Sequence, residues 1–285
     1  MKSTIGIVFL CLLSLSIQAQ DDGQYTLDKT YQLDQNGTLH LRTEDAEVRI
    51  TGSDRDDVRV VVERYEEIRG ASSRRSFEME IEEKSGDLFI KEIKRSTSWT
   101  VGYYRLDYEI NIEMPKNGSL RIDGEDDNYL IQSVDGSIQI STEDGDVEII
   151  DCHGDDFEIE MEDGDLELDG GTGSLYISMD DGDADVTRGK FNDVEIRIED
   201  GDIILETALG DQGRYRMDGD DADMELVVLS GGGDFNISKD DGRVSASSDF
   251  DLIKETDYRV EYKLGTGKAE VSIRTNDGRV RLVKD

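Results

Sequence analysis

Four copies of one acidic motif decide the fold of this chain: Glu143-Asp144-Gly145-Asp146, Glu162-Asp163-Gly164-Asp165, Asp180-Asp181-Gly182-Asp183 and Glu199-Asp200-Gly201-Asp202. Asp127, Ala222 and Gly242 extend the register of the motif glycine in both directions. From 127 to 145, 164, 182, 201, 222 and 242 the steps are 18, 19, 18, 19, 21 and 20. A nearly constant period of this length is typical of stacked repeats and not of an ordinary globular domain.

Short runs of alternating apolar and polar residues flank each motif. Phe157, Ile159 and Met161 precede the second copy, and Leu166 and Leu168 follow it. A period of two indicates β-strands with one buried and one solvated face. A looser turn rich in Gly, Asp and Asn closes each unit. The repeating unit is therefore strand, Asp-Gly turn, strand and looser turn.

Two all-β architectures fit this unit. Asp-Gly between alternating runs is a strong hairpin signal and would give an antiparallel meander. Alternatively, each unit is one coil of about 18–21 residues in a parallel β-solenoid, in which each strand stacks on the same strand of the next coil. A solenoid requires a near-constant coil length, whereas a meander has it only by coincidence. We therefore predict the solenoid and keep the meander as the alternative.

The first residues have the pattern of a secretory signal peptide. Lys2 is followed by an apolar stretch over 5–15 and a small-residue cleavage site over 17–19. We expect residues 1–19 to be removed on export, and no later segment is long and apolar enough to span a membrane. The mature chain then keeps Cys152 as its single cysteine, so it has no internal disulfide.

The net charge of −36 is concentrated in the repeat. Residues 119–250 contain 39 Asp and Glu against 8 Lys and Arg, a net charge of −31. Phosphate binding needs a basic surface, so we expect no nucleic-acid partner. Anionic membranes and polyuronates are disfavoured for the same reason.

Three zones follow the signal peptide. Residues 20–118 are a β-rich N-terminal cap region with one degenerate coil around Ala46, 119–250 are the acidic Asp-Gly-Asp solenoid, and 251–285 are closing strands that resemble a last coil. No linker separates the zones, so we predict one continuous structure. The flanking zones are expected to cover the solenoid ends, because an open end is an unpaired strand edge.

The chain resembles a known family. The residues that carry the resemblance are Gly37-Thr38-Leu39-His40-Leu41, Val48-Arg49-Ile50-Thr51-Gly52, a strand from Ile110 that ends at Pro115, and the serial Asp-Gly-Asp repeats. Together they are similar to the bacterial DUF4097 β-strand-repeat family, whose members are labelled as adhesin candidates. The resemblance covers nearly all of the mature chain. It implies an exported, right-handed β-solenoid and supplies no catalytic residues.

Stacking would align the motif carboxylates in two ladders, with about 4.8 Å between steps. Like charges near 5 Å repel by roughly 0.8 kcal/mol in water and about 3 kcal/mol at an effective dielectric of 20, and calcium could offset this repulsion. The alternative is solvated acidity, screened over roughly 8 Å by salt. The candidate calcium ligands are Asp144, Asp163, Asp181, Asp200, Asp146, Asp165, Asp183 and Asp202.

One stretch, Ser96 to Leu106, stands outside the repeat and contains aromatic residues. Exposed aromatic side chains beside polar ones can bind a sugar or a protein. The alternative is that they pack across a hairpin. The candidate partner-binding residues are Trp99, Tyr103 and Tyr104.

The sequence thus predicts an exported, non-enzymatic β-solenoid with a structural or adhesin-like binding role at the bacterial cell envelope. Its acidic face would bind an envelope protein, a glycan or divalent cations, in the periplasm, at the cell surface or in the medium. One alternative is a calcium-stabilised repeat module. Another is a polysaccharide-active enzyme on a β-helix, although the repeat multiplies carboxylates without singling out one acid–base pair.

Overall fold

The computed structural model describes residues 23–72, 77–94 and 100–285. Within them, 22 strands join in one sheet. The N-terminal strands are β1 (Gln24–Gln32), β2 (Thr38–Arg42), β3 (Glu47–Ser53), β4 (Asp57–Ser72), β5 (Phe77–Lys84), β6 (Asp87–Lys94) and β7 (Thr100–Pro115). The central strands are β8 (Ser119–Asp123), β9 (Asn128–Gln132), β10 (Ile138–Thr142), β11 (Val147–Cys152), β12 (Asp156–Asp163), β13 (Leu166–Gly170), β14 (Thr172–Asp181), β15 (Ala184–Ala208) and β16 (Arg214–Ser230). The C-terminal strands are β17 (Gly233–Lys239), β18 (Arg243–Ala246), β19 (Phe250–Glu255), β20 (Arg259–Leu264), β21 (Ala269–Thr275) and β22 (Arg279–Lys284).

The predicted parallel β-solenoid is confirmed over the acidic repeat. β8, β10, β12, β14 and β15 form one parallel stack, and β9, β11, β13 and β15 form a second. The register follows one inward row: Leu120, Ile138, Phe157, Leu175 and Val194. Strands on either side of an Asp-Gly turn pair with neighbouring coils and not with each other, so the antiparallel meander is wrong for this region. The handedness stays a prediction.

The motif glycines are required by both backbone conformation and stacking. Gly145, Gly164, Gly182 and Gly201 all have positive φ, from 114° to 139°. A Cβ on Gly164 would lie 2.3 Å from the carbonyl oxygen of Gly145, because successive turns stack directly on one another. No L-residue side chain fits there without moving the backbone. Asp127 and Ala222 hold the same register without a positive φ, so these two turns have a different conformation.

The interior is a column of apolar side chains. Phe157, Ile159 and Met161 are at most 4% exposed, and the other central coils contribute equivalent residues. Each such side chain stabilises the fold by about 1.5–3 kcal/mol. Because alternate residues point inward, the acidic residues between them point to solvent.

The stacking order departs from chain order at the C-terminal end. Tyr215 of β16 pairs with Val271 of β21, which lies much later in the chain. Phe235 of β17 pairs with the other side of the same Val271. The coil formed by β21 and β22 is therefore inserted between β16 and the coil formed by β17 and β18. The expectation that the Gly242 coil stacks on the Ala222 coil, with the C-terminal strands as a last coil, is wrong.

Charge gives a physical reason for this insertion. The β21–β22 coil is basic on the side that meets β16. Arg279 Nε donates to Asp223 at 2.8 Å, and Arg281 pairs with Glu225 at 3.3 Å. The β17–β18 coil also has an arginine, Arg243, at the position of Arg279. It differs in offering Ser245 in place of Arg281 and Asp240 in place of Asn276, so the inserted coil brings the larger positive charge to the acidic stack.

The N-terminal end is rearranged in the same way. Leu39 of β2 pairs with Leu120 of β8, and Val48 of β3 pairs with Tyr129 of β9, although four strands lie between β3 and β8 in the chain. The coil around Ala46 is thus the next coil of the solenoid. β6 and β7 continue its two stacks, and the antiparallel strands β5, β4 and β1 cover the end. At the other end, the β19–β20 hairpin pairs antiparallel with β17.

Candidate functional site

Parallel stacking brings the four acidic motifs onto one edge of the solenoid. Asp163, Asp181 and Asp200 are aligned strand partners, and Asp144 bridges Asp126 on the coil before it. Each motif contributes three exposed carboxylates. We call this set the acidic turn edge: Glu143, Asp144, Asp146, Glu162, Asp163, Asp165, Asp180, Asp181, Asp183, Glu199, Asp200 and Asp202.

The last residue of each motif joins one coil to the next. Asp146 Oδ1 accepts a hydrogen bond from the backbone N–H of Asp165 at 3.1 Å, and Asp165 Oδ1 accepts one from Asp183 at 3.1 Å. Asp183 Oδ1 accepts the N–H of Asp202 at 2.9 Å. This ladder of side-chain acceptors satisfies one turn N–H on each coil, which explains why Asp recurs at the last motif position.

The ends of this ladder carry different residues. Asn128 Oδ1 begins it by accepting the N–H of Asp146 at 2.9 Å, and an amide adds no charge. At the other end, Asp223 Oδ1 accepts the N–H of Arg279 at 2.9 Å. The Arg279 guanidinium also pairs with the Asp223 carboxylate, and this hydrogen bond lowers the pKa of Asp223.

The middle residue of each motif forms the second ladder, in which carboxylates oppose one another. Partial desolvation, followed by hydrogen bonding to Asp126, raises the pKa of Asp144, and the Asp163 carboxylate adds to the effect. In the other ladder, which accepts backbone N–H groups, desolvation and the charges of Asp183 and Asp223 raise the pKa of Asp202. Desolvation first, and neighbouring carboxylates second, therefore favour a bound proton at these two carboxyls.

Cations lie on the sheet faces and near the solenoid ends, away from the acidic turn edge. Arg197 pairs with Glu195 and Arg216 with Asp218 on one face, and Arg188 pairs with Asp169 on the other. None of the twelve carboxylates of the acidic turn edge forms an ion pair with a residue that the structure describes. The edge is therefore a continuous, accessible anionic surface.

The predicted calcium ligands are aligned along a row and do not surround a point. Across residues 23–72, 77–94 and 100–285, no group of three or more His, Cys, Asp or Glu side chains is arranged to hold a metal ion. One ladder also uses an oxygen of each carboxylate for a backbone N–H. Calcium at the eight aspartates stays a prediction.

The structure describes two of the three residues of the predicted aromatic site. Trp99 lies outside the described residues. Tyr103 and Tyr104, on β7, are 51% and 42% exposed. The Arg69 guanidinium lies 5.7 Å from the Tyr103 ring centroid on the paired strand β4. Exposure fits the binding hypothesis and the cross-strand contact fits the packing alternative, so partner binding here stays a prediction.

Cys152 is buried, whereas the adjacent His153 is exposed. Burial raises the pKa of the Cys152 thiol to about 11, and this side chain is 1% exposed. A thiol with so high a pKa is a poor nucleophile near neutral pH. His153 lies on the surface near Asp135 and Asp151, 3.6 Å and 3.7 Å away.

Sequence reasoning missed the buried carboxyl of Asp127. It accepts hydrogen bonds from the Ala46 N–H at 2.6 Å, the Tyr129 hydroxyl at 3.0 Å and the Thr43 hydroxyl at 3.1 Å. Desolvation outweighs these bonds and raises its pKa. The one signal available was the replacement of a motif glycine by Asp, together with Tyr129 at an inward position.

The architecture matches a solved structure at low sequence identity. A candidate adhesin from Bacteroides fragilis NCTC 9343 is 12% identical with a TM-score of 0.51, and the match covers 91% of this chain and 97% of that one. At that identity, the likeness shows the fold alone. A candidate cell adhesion protein from Clostridium sporogenes ATCC 15579 is 13% identical over 92% of this chain and 100% of its own, with a TM-score of 0.30.

Two further findings are negative. No curated protein matches this chain. In the described part of the chain, no helix has the length and hydrophobicity that crossing a membrane requires.

The family comparison covers nearly all of the solenoid. The model of the family described as Toastrack DUF4097 matches residues 36–283. That range begins just before the β2–β3 coil and ends within β22, so it contains every coil described above. The chain therefore belongs to the Toastrack DUF4097 family, as the resemblance of its motifs predicted.

Proposed function

We propose that this chain is an exported, non-enzymatic β-solenoid of the bacterial cell envelope whose acidic turn edge binds a basic partner. One observation carries the proposal: twelve exposed carboxylates stand in register along one edge, without an ion pair to any described residue. The names of the structurally similar proteins, which describe adhesion, and the signal-peptide pattern support a role outside the cytoplasm. The periplasm, the cell surface and the medium all fit.

The geometry favours an extended basic segment as the ligand. Successive coils repeat each carboxylate at about 4.8 Å, so the edge presents evenly spaced charges on a rigid support. Exposed ion pairs contribute roughly 0.5 kcal/mol each, and about eight of them would give about 4 kcal/mol, a Kd near 1 mM. Relief of carboxylate repulsion strengthens binding further. We expect weak, multivalent binding that decreases with salt.

Two features support a binding role over catalysis. The motif carboxylates are equivalent from coil to coil, so no acid–base pair is singled out. Apolar side chains fill the solenoid interior, and the concave surfaces lie on its outer sheet faces. Calcium is the competing ligand for the same edge and is tested alongside.

The decisive experiment compares two variants of the mature chain, residues 20–285, with equal changes in charge. One replaces Asp144, Asp163 and Asp181 with Asn on the acidic turn edge. The control replaces Glu148, Glu160 and Glu167 with Gln on exposed sheet faces of the Asp144 and Asp163 coils. Binding of a lysine-rich peptide is measured by fluorescence anisotropy at two salt concentrations, with a glutamate-rich peptide as the negative control.

We expect the edge variant to bind at least tenfold more weakly than the unmodified chain, and the face variant to differ by no more than about threefold. Equal losses in both variants would mean that net charge alone attracts the peptide. No binding by the unmodified chain would remove the proposal. Melting curves in EDTA, calcium, magnesium and matched sodium chloride complete the test, because a rise in Tm with calcium alone would assign the edge to the metal.

A further inference from the structure

The most exposed large apolar side chains of the described residues cluster at the C-terminal end of the solenoid. Leu252 and Ile253 on β19 are 52% and 63% exposed, and Tyr258 in the following turn is 67% exposed. Among the strands that the structure describes, β19 pairs with β20 alone. Its other edge is therefore open, and an open apolar edge is a ready site for strand–strand association.

A β-bulge brings two neighbouring apolar side chains to the surface. Leu252 pairs with Tyr262 and Lys254 pairs with Glu261, so Ile253 has no partner across the β19–β20 ladder. In a regular strand one of two consecutive residues would face the core, but both Leu252 and Ile253 are exposed here. A bulge re-aims side chains in this way, and bulges are common at sheet edges.

The charges that flank this apolar pair are complementary to those of a second, antiparallel copy of the same strand. The order along β19 is Asp251-Leu252-Ile253-Lys254. If two copies of this strand run antiparallel about a twofold axis between Leu252 and Ile253, Asp251 of each copy faces Lys254 of the other. Lys254 is 58% exposed and lies 3.9 Å from Glu261, which Arg259 already pairs at 3.1 Å.

Charge disfavours a second copy at another open strand. The open strand at the N-terminal end, β5, carries Glu78, Glu80, Glu82 and Glu83, which would face one another in any self-pairing. By contrast, residues 251–285 contain 8 Lys and Arg against 7 Asp and Glu, a net charge of +1. Two chains with a net charge of −36 each meet the least repulsion at this end.

We propose that two copies of this chain associate through β19, with Leu252 and Ile253 at the centre of the contact and two reciprocal Asp251–Lys254 pairs around it. The association goes beyond the proposed binding of a basic partner and does not depend on it. It would place two acidic turn edges in one particle, so a multivalent partner would be held with higher avidity.

Charge reversal tests the twofold arrangement. Sedimentation equilibrium of the mature chain, residues 20–285, at 0.15 M salt gives the dimer Kd for each variant. Asp251→Lys and Lys254→Asp each turn two attractive contacts into two repulsive ones, and we expect each to weaken dimerisation at least tenfold. The double variant Asp251→Lys/Lys254→Asp should recover the original Kd. An equimolar mixture of the two single variants should form a heterodimer, because their charges are complementary.

An apolar substitution with a matched control tests the centre of the contact. Ile253→Ser should weaken dimerisation at least tenfold, whereas Ile204→Ser, at another exposed isoleucine, should leave it unchanged. Circular dichroism and Tm verify that each variant is folded. The proposal is overturned if the unmodified chain is a monomer up to hundreds of micromolar, or if the single charge reversals dimerise as well as the double variant.

Discussion

The two carboxylate ladders of the acidic turn edge should respond in opposite directions to the same substitution. Asp165 belongs to the ladder that accepts backbone N–H groups, and Asp163 belongs to the ladder in which carboxylates oppose one another. The two residues lie in the same turn, are both exposed and carry the same charge. Substituting Ala and Asn at each therefore separates hydrogen bonding from repulsion.

The expected magnitudes follow from the contacts. Asp165→Ala removes the acceptor of the Asp183 N–H, a bond of 3.1 Å, at a cost of about 1–2 kcal/mol. It also removes repulsion from the two neighbouring coils, about 0.5–1 kcal/mol after screening. The net change should be a loss of about 0.5–1 kcal/mol. Asp163→Ala removes repulsion without removing an acceptor of the coil-to-coil N–H ladder, and should stabilise the fold by about 0.5–1 kcal/mol. Asp165→Asn keeps an acceptor oxygen, as Asn128 does on another coil, and should also stabilise.

The assay is a thermal melt of the mature chain with its four variants at low and at high salt. For a chain of this size, 1 kcal/mol corresponds to about 2 °C in Tm. We expect Asp163→Ala and Asp165→Asn to raise Tm and Asp165→Ala to lower it. High salt should reduce the two increases in Tm, because they come from relief of charge repulsion. The decrease in Tm for Asp165→Ala should remain, because it comes from a lost hydrogen bond. Identical shifts for Asp163→Ala and Asp165→Ala would refute the distinction between the ladders.

Three further predictions concern the turns, the inserted coil and pH. Gly164→Ala should lower the free energy of unfolding by at least about 2 kcal/mol, because φ is 120° and the new Cβ would lie 2.3 Å from the Gly145 oxygen. The control Gly265→Ala, at φ 56° in open space, should lower it by about 1 kcal/mol. Chemical denaturation measures both. Arg279→Gln should lower Tm at low salt, and 1 M sodium chloride should shrink the difference, because the lost contact is the exposed ion pair with Asp223. Lowering the pH from 7 toward about 4 should raise Tm, because three carboxyls with raised pKa bind protons more tightly when folded: Asp127, Asp144 and Asp202. Below pH 3.8, the ordinary pKa of an aspartate in the unfolded chain, Tm should fall. Three carboxyls that are bonded to arginine have a lowered pKa in the folded chain, and their protonation removes these bonds: Asp28, Asp169 and Asp223. A Tm that only falls from pH 7 downward would contradict the first half of this prediction.

The local structure of each coil was predictable because it depends on neighbouring residues. Alternation such as Phe157, Ile159 and Met161 assigns the inward face, and the recurring glycine marks the turn. The constant step between glycines distinguished stacking from hairpins, although Asp-Gly alone favours a hairpin. The location of the acidic turn edge follows directly, because parallel stacking aligns identical positions.

The roles within that edge were not predictable from the same pattern. Asp163 and Asp165 are identical residues two positions apart, and only the stacked backbone shows that Asp165 accepts the Asp183 N–H. Asp127 likewise looks like one more surface acid, yet it is buried under the Ala46 N–H because the coil around Ala46 stacks on it.

The repeating two-strand coil, its buried face, its turn glycines and its concentrated negative charge can all be read from the order of residues, since these properties recur with a nearly constant period. The order in which the coils stack at the two ends is visible only in the folded chain. Leu39 meets Leu120, and Tyr215 meets Val271, although the members of each pair lie far apart in the chain. Every coil presents the same apolar and hydrogen-bonding pattern, so several neighbours fit a given coil equally well. Charge distinguishes them: Arg281 pairs with Glu225, where the β17–β18 coil would offer Ser245, and such pairs form only once the chain is folded.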